Sequence, residues 1–450
     1  MAATESTGKL TRSHVIIIGA GWAGLAAAVA LSRAGVKITL LESARQVGGR
    51  ARRVAFNKLR VDNGQHLLIG AYQQTLQLMS SLNINIDEKF IRESLQLTLR
   101  DQQGNTVFLS TPRLLVPLHL LVALLKSKGL SLSERMRAIQ FGVRLFMHGF
   151  KFRQDMSVAE LMVRYKQPAG LCRKFWYPLC IAIMNTPPER ASAQVFLRVL
   201  HDSFRQNANH SDLLYTRADL SSLFPDPAIE YIEKQGGSIR LGQRVTGLQL
   251  DEKSGRINAV AVDEQILPAD HVIIATPAHA CANLLKDIPG LQPLSGQLAK
   301  LSYEPIVTAY LQYPESVRMP HHMLGMLDTT TQWLFDRRIY GQAGLLAAVI
   351  SSNGPHMEQD NEVLGGIISG EIARLFPDWP APEDMLIIRE KRATFACEPG
   401  INTLRPPNNT TIDGLWLAGD YTNTGYPATL EGAVQSGLQC AARIIETLPN

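Results

Sequence analysis

Apolar residues near the N-terminus of this chain form short runs that glycine-containing turns separate. His14–Ile18 is a nearly continuous apolar run, typical of a buried strand. The alanine- and leucine-rich stretch Trp22–Ala34 predicts a helix that ends before Gly35, and Lys37–Leu41 predicts a second strand. A strand, a helix and a strand within about 30 residues predict the first unit of a parallel α/β sheet.

The pattern changes along the rest of the chain. It predicts a hairpin after residue 75, then a helical region over Leu114–Phe152 in which a leucine-rich run is followed by lysines and arginines. From residue 228 the pattern again predicts strands that alternate with helices, and from residue 301 it predicts mainly strands. The chain ends with a predicted strand and helix over Leu415–Leu448. The other predicted strands are Leu95–Arg100, Thr106–Leu109, Ser238–Leu241, Val245–Leu250, Arg256–Val262, His271–Thr276, Ile306–Tyr313, Trp333–Arg337, Gly344–Ile350 and Met385–Arg392.

These changes predict two domains, each of which is built from segments that are not consecutive in the sequence. Residues 1–75, 228–300 and 405–450 are expected to form one nucleotide-binding α/β domain. Residues 76–227 and 301–404 are expected to form an inserted α+β domain, with the helical region in its first part and an antiparallel sheet in its second.

Composition narrows the class of protein. The chain has 450 residues, of which 45% are apolar, so it is long enough for two packed domains. No apolar run reaches the roughly 18 residues of a membrane span, and the polar segment of residues 1–13 does not have the pattern of a signal peptide. Five scattered cysteines predict free thiols in a reducing compartment and no metal site. A net charge of +5 without a nucleic-acid motif argues against nucleic-acid binding.

The glycines of the first unit have the spacing of a dinucleotide site. In Gly19-x-Gly21-x-x-Gly24 the first glycine permits a tight turn, the second lets the backbone approach a pyrophosphate, and the third lets helix and strand pack closely. The intervening Trp22 and Ala23 begin the helix, whose N-terminus faces the phosphate charge. Glu42 ends the second strand, where an acidic side chain can accept hydrogen bonds from a ribose.

Two further segments extend this site. Gly48-Gly49-Arg50 follows Glu42 closely and predicts a second phosphate-side loop, whose arginine can bind the pyrophosphate in a bidentate manner. Near the C-terminus, Ala418-Gly419-Asp420 follows an apolar strand and precedes a helix that begins near Thr429.

Together these motifs resemble the amine oxidase and phytoene desaturase superfamily of flavoproteins over nearly the whole chain. The resemblance implies FAD as the cofactor, in a Rossmann-like domain of the GR2 type. It implies that Asp420 contacts the ribityl or pyrophosphate part, that the backbone of Val245 meets the adenine, and that the helix at Thr429 directs its positive end at the flavin. The residues expected to bind FAD are Gly19, Gly21, Trp22, Ala23, Gly24, Glu42, Gly49, Arg50, Gln65, His66, Val245, Gly419, Asp420, Thr429 and Leu430.

Two stretches, Val61–Tyr72 and Pro178–Ser192, resemble one subfamily, the hydroxysqualene dehydroxylases of hopanoid synthesis. That resemblance implies hydride transfer from reduced flavin to an allylic carbon of hydroxysqualene, whose hydroxyl leaves as water to give squalene. Two alternatives remain open. The same flavin face can abstract hydride in a carotenoid-type desaturase, and a non-redox flavoprotein would only isomerise or carry a lipid. A small amine is a less suitable substrate for the leucine-rich insert.

A departing hydroxide needs a proton, so an acid is expected near the flavin. The candidates are Asp62, His66 and Tyr72, with Asn185 as a group that orients the hydroxyl. Each has a structural alternative: Asp62 can order its loop, His66 can hydrogen-bond the flavin, and Asn185 can cap a helix before a pair of prolines. Tyr72, like Tyr426, can simply be part of the wall of an apolar pocket.

The remaining expectations concern partners. The leucines and basic residues of Leu114–Phe152 suit a helix in a membrane interface, from which a C30 hydrocarbon can be collected; a buried helix is the alternative. Pro112 and Pro117 would end or bend any single long helix there. The expected location is cytoplasmic, peripheral on the inner face of the cytoplasmic membrane. Because no second dinucleotide fingerprint is present, the expected electron donor is either a free pool of reductant or a partner reductase.

Overall fold

The computed structural model describes residues 13–448, so the first twelve residues of the polar N-terminal segment lie outside the described part. The strands are β1 His14–Ile18, β2 Lys37–Glu42, β3 Arg53–Phe56, β4 Leu59–Asp62, β5 Leu68–Ile69, β6 Phe90–Glu93, β7 Gln96–Asp101, β8 Thr106–Ser110, β9 Leu213–Thr216, β10 Ser238–Leu241, β11 Val245–Leu250, β12 Ile257–Val262, β13 Gln265–Pro268, β14 His271–Ile274, β15 Tyr303–Gln312, β16 Met323–Leu327, β17 Trp333–Asp336, β18 Leu345–Ser351, β19 Asp384–Phe395 and β20 Leu415–Leu417.

The helices alternate with these strands in the first and last parts of the chain and cluster between β8 and β10. They are α1 Trp22–Arg33, α2 Gln73–Ser81, α3 Ile86–Lys89, α4 Leu118–Lys126, α5 Leu132–Met147, α6 Val158–Arg164, α7 Ala169–Leu171, α8 Tyr177–Met184, α9 Ala193–Phe204, α10 Leu220–Leu223, α11 Pro225–Lys234, α12 Ala278–Leu285, α13 Gln292–Ala299, α14 Asn361–Leu375 and α15 Leu430–Thr447. In the described range no helix is long and apolar enough to cross a bilayer.

A five-stranded parallel sheet organises the first and last parts of the chain. Its strand order is β10-β2-β1-β14-β20, so strands far apart in sequence lie side by side. Helices α1 and α15 pack against one face of the sheet, and they approach so closely that a Cβ at Gly437 would lie 2.2 Å from the carbonyl oxygen of Ala23. The predicted α/β architecture is therefore confirmed.

A second sheet holds the strand-rich part of the chain. Its order is β19-β15-β18-β17-β16-β7-β8. Its neighbours run antiparallel except β16 and β7, which pair in parallel from Gly325 with Leu99 to Leu327 with Asp101. The predicted antiparallel sheet is thus largely correct, but it also incorporates the predicted hairpin of β7 and β8. Helix α14 packs against the face that carries Val307 and Leu346.

The helical region between these sheets is divided more than the sequence predicted. Helix α4 ends at Lys126, and α5 begins after Ser131, which caps it in a capping box with Glu134. Pro117 precedes α4 instead of bending a longer helix. All five cysteines are buried free thiols, as the sequence predicted.

Candidate functional site

Two glycine loops meet at the carboxyl end of β1. Gly19 has a φ of +107°, and its Cβ would lie 2.8 Å from the carbonyl oxygen of Ala275, so the turn admits only glycine. A Cβ at Gly24 would lie 2.0 Å from the carbonyl oxygen of Gly19, because α1 packs directly on this turn. A Cβ at Gly21 would meet no protein atom within 4 Å, since it would point into an open cavity. These features fit a pyrophosphate at the N-terminus of α1.

The second loop lies against the first. The amide of Gly48 donates to the carbonyl of Ala20 at 2.8 Å, and a Cβ at Gly49 would lie 3.2 Å from the Cα of Gly21. Glu42 accepts hydrogen bonds from the amides of Ala20 and Ala44, each at 2.8 Å. Its carboxylate therefore shapes the loop, while the lone pairs that remain can accept from ribose hydroxyls.

Arg50 and Asp420, 370 residues apart in sequence, form an ion pair in this site. Arg50 Nη2 lies 2.7 Å from Asp420 Oδ2, and Nη1 donates to the carbonyl of Ala393 at 2.6 Å. The carboxylate of Asp420 raises the pKa of Arg50 despite the guanidinium's burial. The pair joins the second glycine loop to the strand end at β20, so both ends of the chain build one charged site.

Helix α15 begins at this site. Thr429 is its N-cap, and the hydroxyl accepts from the amide of Gly432 at 3.1 Å. Glu431 is buried and accepts from the amides of Gln74 and Thr75, which fixes the N-terminus of α2 beside that of α15. The first turn of α15 therefore presents its remaining amides to the cavity in a fixed position.

Asp62 does not line the cavity, so the prediction of an acid at Asp62 is corrected. Its Oδ1 accepts from the amide of Leu220 at 2.8 Å, and its Oδ2 lies 3.7 Å from Nη2 of the fully buried Arg337. Burial raises the pKa of Asp62 to about 6, with Arg337 opposing the shift. The carboxylate orders the loop, which was the alternative interpretation.

The same arginine positions Gln65. Arg337 Nη1 donates to Gln65 Oε1 at 2.7 Å, and Gln65 Nε2 donates to the hydroxyl of Tyr340 at 2.8 Å. The guanidinium also lies 3.7 Å from the centre of the Tyr340 ring. Gln65 thus lines the cavity with its amide already engaged, and it holds the backbone that leads to His66.

His66 lines the cavity, and within the described part of the chain no hydrogen bond reaches its ring nitrogens. Burial, with a smaller contribution from the Arg50 cation, lowers the pKa of His66 to about 4. A neutral imidazole donates and accepts hydrogen bonds, but an imidazolium is scarce at neutral pH. The lowered pKa favours hydrogen bonding over proton donation, and the role of His66 stays a prediction.

Replacing His66 with Gln is expected to flatten the acid side of the stability profile. Between pH 6.5 and about 4 the unfolded chain binds a proton that folded His66 does not. Wild-type stability therefore falls as the pH is lowered through this window, by at most about 3 kcal/mol, and the variant lacks this part of the loss. Denaturant unfolding at pH 4.5 and 7.5 measures it, with the exposed His148→Gln as control. An equal acid loss in wild type and H66Q would assign the dependence to other groups.

Tyr72 and Asn185 both line the cavity, but neither is placed as an acid. Burial and the Glu431 carboxylate raise the pKa of Tyr72. Asn185 ends α8 with a φ of 46°, and its amide donates to Thr394 Oγ1 at 2.8 Å and accepts from the amide of Ser352 at 2.7 Å. These bonds engage the amide of Asn185 and favour the alternative, a helix cap, while its role in orienting a hydroxyl stays a prediction.

One cavity of about 1570 Å³ joins the two glycine loops, Arg50, Asp420, the first turn of α15, His66, Tyr72 and Asn185. This volume exceeds the roughly 300–1,000 Å³ of a single-ligand pocket. Every residue expected to bind the cofactor lines it except Gly24, which makes the close packing predicted for it. The part away from the glycine loops is apolar and lies among α4, α5, α8 and the second sheet. Its side chains include Leu97, Leu109, Leu121, Leu124, Ile139, Leu145, Phe175, Trp176, Leu179, Ile183, Leu213, Met323, Trp333 and Phe335.

The sequence did not identify two polar groups of this wall, Asp202 on α9 and Glu390 on β19. The spacing of Arg198 and Asp202 predicts an ion pair on one face of a helix, and the structure contains it, with Nε to Oδ2 at 2.8 Å. Nothing in that spacing indicates that the pair faces a cavity, because the cavity is formed by segments distant in sequence.

Comparisons with known proteins agree on one family. The sequence model of the family described as "Flavin containing amine oxidoreductase" matches residues 22–445. Hydroxysqualene dehydroxylase of Rhodopseudomonas palustris is 28% identical over 443 residues, which cover 96% of this chain and 98% of that protein. The 15-cis-phytoene desaturase of Solanum lycopersicum is 25% identical over 460 residues, 96% of this chain and 78% of that protein. The solved structure of cyclohexylamine oxidase from Brevibacterium oxydans has the same fold, with a TM-score of 0.69, 16% identity and coverage of 97% and 99%.

Proposed function

Because the chain belongs to the flavin-containing amine oxidoreductase family and is an FAD-dependent oxidoreductase, we propose that it reduces hydroxysqualene to squalene. The observation that carries the proposal is the single cavity, which joins the dinucleotide cradle to a deep apolar chamber. An apolar chamber suits a C30 isoprenoid, because a hydrocarbon loses no hydrogen bond on entering it. The full-length similarity to a hydroxysqualene dehydroxylase supports the choice of substrate.

In the proposed reaction the residues of this chain bind the cofactor, orient the substrate and exclude water. When bound and reduced, FAD would supply both the hydride that replaces the allylic hydroxyl and the proton with which that hydroxyl leaves as water. Gly21, Gly49 and Arg50 would hold its pyrophosphate, and the first turn of α15 would stabilise negative charge on its ring. Neutral His66 is proposed to hydrogen-bond the ring or the substrate. The aromatic and leucine side chains shield the allylic centre from water. An external reductase is proposed to renew the reduced flavin, since the sequence carries one dinucleotide fingerprint.

The chain is proposed to be divided into two domains, one for the cofactor and one for the substrate. Residues 1–75, 228–300 and 405–450 would form the FAD-binding domain, and 76–227 with 301–404 an inserted substrate domain. Support comes from the parallel sheet, whose strands β1, β2, β10, β14 and β20 all fall within the first set, and from the second sheet, whose strands all fall within the other.

The decisive experiment is anaerobic. The purified holoenzyme is reduced with dithionite, mixed with hydroxysqualene in detergent, and its lipids and flavin spectrum are followed. Reoxidation of the flavin with an equal amount of squalene formed is the expected result. Phytoene-like polyenes that reduce the oxidised flavin would instead support the second candidate, a desaturase, which the similarity to a phytoene desaturase favours. No flavin change with either substrate would leave a non-redox role.

A membrane surface is proposed as the source of substrate. Leu115, Leu132 and Met147 are 81%, 71% and 77% exposed on and beside α4 and α5, the helices whose other leucines line the chamber. Lys126 and Arg144 stand in the last turns of the same helices. Exposed apolar side chains with basic neighbours suit insertion between anionic headgroups.

A double variant, Leu115→Glu with Leu132→Glu, tests this source, because both side chains are exposed and neither lines the cavity. Two carboxylates at the exposed apolar surface are expected to lower co-sedimentation with phosphatidylglycerol vesicles at least about tenfold. Each substitution removes an apolar side chain that would be buried in the bilayer and adds a negative charge that the anionic headgroups repel. FAD content and turnover of detergent-dispersed substrate should stay unchanged. The matched control is Val363→Glu, an apolar residue 51% exposed on α14. Wild-type vesicle binding by the double variant would contradict the surface.

A further inference from the structure

A carboxylate with three hydrogen-bond donors lies in the wall of the cavity, at the end of α9. Asp202 accepts from the hydroxyl of Tyr426, from Arg198 Nε at 2.8 Å and from His201 Nδ1 at 2.7 Å. Asp202 and Tyr426 are each only 9% exposed, and both line the cavity. The cluster joins α9 to the segment between Asp420 and α15, which are far apart in sequence.

The charges of this cluster fix where its protons lie. Hydrogen bonds from Tyr426, Arg198 and His201 outweigh burial and lower the pKa of Asp202, so the carboxylate is ionised. Burial and that carboxylate raise the pKa of Tyr426, so its phenol keeps its proton. The guanidinium of Arg198 also lies 5.2 Å from the centre of the Tyr426 ring. The ring is therefore held on two sides, and its hydroxyl position is defined.

Tyr426 has hydrogen-bonding capacity that the described residues do not use. Its O–H is directed to Asp202, and the neighbouring Arg198 donates through Nε to the same carboxylate oxygen. A phenol oxygen whose proton is donated in this way can still accept a hydrogen bond. Tyr426 lies beside the first turn of α15, since a Cβ at Gly432 would lie 3.4 Å from Tyr426 Cβ. The residue that carries this oxygen therefore lines the cavity next to the cofactor cradle, with Asp202 as its neighbour in the wall.

We propose that Tyr426, positioned by Asp202, binds the hydroxyl of a long-chain allylic alcohol and distinguishes it from the corresponding hydrocarbon. This inference rests on the proposed function and names the group that recognises its substrate. The substrate hydroxyl donates to the Tyr426 oxygen, which places the carbon that bears it beside the cofactor. The hydrocarbon product cannot make this bond, so binding favours the alcohol and allows the product to leave.

Equilibrium binding to the oxidised holoenzyme tests the proposal without turnover. The perturbation of the flavin absorbance gives the dissociation constants of hydroxysqualene and of squalene in the same detergent. Wild type should prefer the alcohol, and Tyr426→Phe should reduce that preference about tenfold, the effect of one hydrogen bond, with squalene affinity unchanged. The control is Tyr313→Phe, which removes another buried phenol oxygen from the core behind the second sheet.

Asp202 acts through Tyr426, so its variants are compared by their preference for the alcohol over squalene, which a change in packing alone would not alter. Asp202→Ala should lose the alcohol preference as Tyr426→Phe does, whereas Asp202→Asn, whose carbonyl still accepts the Tyr426 proton, should restore most of it. Retained flavin in each variant shows that the fold is intact. An undiminished preference in Tyr426→Phe overturns the inference.

The same data separate the two proposals. If reduced wild type converts hydroxysqualene while Tyr426→Phe keeps the full preference, the function stands and the inference fails. If wild type neither prefers nor converts the alcohol, both fail. Equal losses of alcohol and squalene affinity in Tyr426→Phe would show a packing role and would also overturn the inference.

Discussion

A Gly21→Leu variant is expected to fold normally and to lose FAD. Gly21 has φ −75° and ψ 177°, an extended conformation open to any residue, and a Cβ there would meet no protein atom within 4 Å. A leucine is therefore compatible with the protein alone but fills the space required by a pyrophosphate at the N-terminus of α1. Affinity for FAD should fall at least about 100-fold, a loss of roughly 2.7 kcal/mol or more.

The neighbouring glycine of the same motif supplies the contrast. In Gly24→Ala the new methyl group would lie 2.0 Å from the carbonyl oxygen of Gly19, so α1 must move away from the turn. That variant should lose thermal stability as well as flavin, by about 1–3 kcal/mol. Flavin per chain after gel filtration and thermal unfolding of the apoprotein measure both effects. A Gly21→Leu protein with full flavin content would contradict the pyrophosphate site.

The parts of the fold that the sequence predicted are those set by local pattern. Strands β1 and β2 with α1 between them follow from an apolar run, a glycine turn and an alanine-rich helix, all within thirty residues of one another. The two glycine loops proposed to hold the cofactor could also be located from the sequence, because glycines such as Gly19 and Gly24 stand where the backbone allows no Cβ. Short strands of mixed composition were missed. Strands β3 and β4 contain arginines and are joined by a turn with a lysine, so apolar and polar residues do not alternate clearly along the pair.

What the sequence could not predict depends on contacts between distant segments. The parallel pairing of β7 with β16 joins residues more than two hundred positions apart, and no local spacing encodes it. Asp62 and Asn185 were candidates because they lie in segments that resemble the flavoprotein subfamily. In the structure Arg337 lies beside the carboxylate of Asp62, and Ser352 donates to the amide of Asn185, from positions far along the chain. Whether a polar side chain faces a cavity or a buried partner is decided by tertiary packing. For this reason the sequence named Tyr426 only as a wall residue and missed its bond to Asp202.

A Gly142→Phe variant is expected to keep its FAD and to lose at least about 99% of the hydroxysqualene reduction that is proposed for this chain. Gly142 lies in α5 and lines the apolar chamber, and a Cβ there would meet no heavy atom within 4 Å. A benzyl group must therefore project into the space proposed for the isoprenoid. Because Phe has a higher helix propensity than Gly, α5 itself should be at least as stable as before.

The matched control is Gly366→Phe, on the exposed face of α14, where a Cβ also meets nothing within 4 Å. It adds the same side chain to a helix without entering the chamber, so its turnover and flavin content should equal those of wild type. The kcat/KM for hydroxysqualene and the rate at which ferricyanide reoxidises the reduced flavin are measured for each protein. Loss of the first with retention of the second is the expected signature of a filled substrate chamber. Wild-type turnover in Gly142→Phe would mean that the lipid binds elsewhere, because a chamber narrowed at α5 cannot admit a C30 chain unchanged.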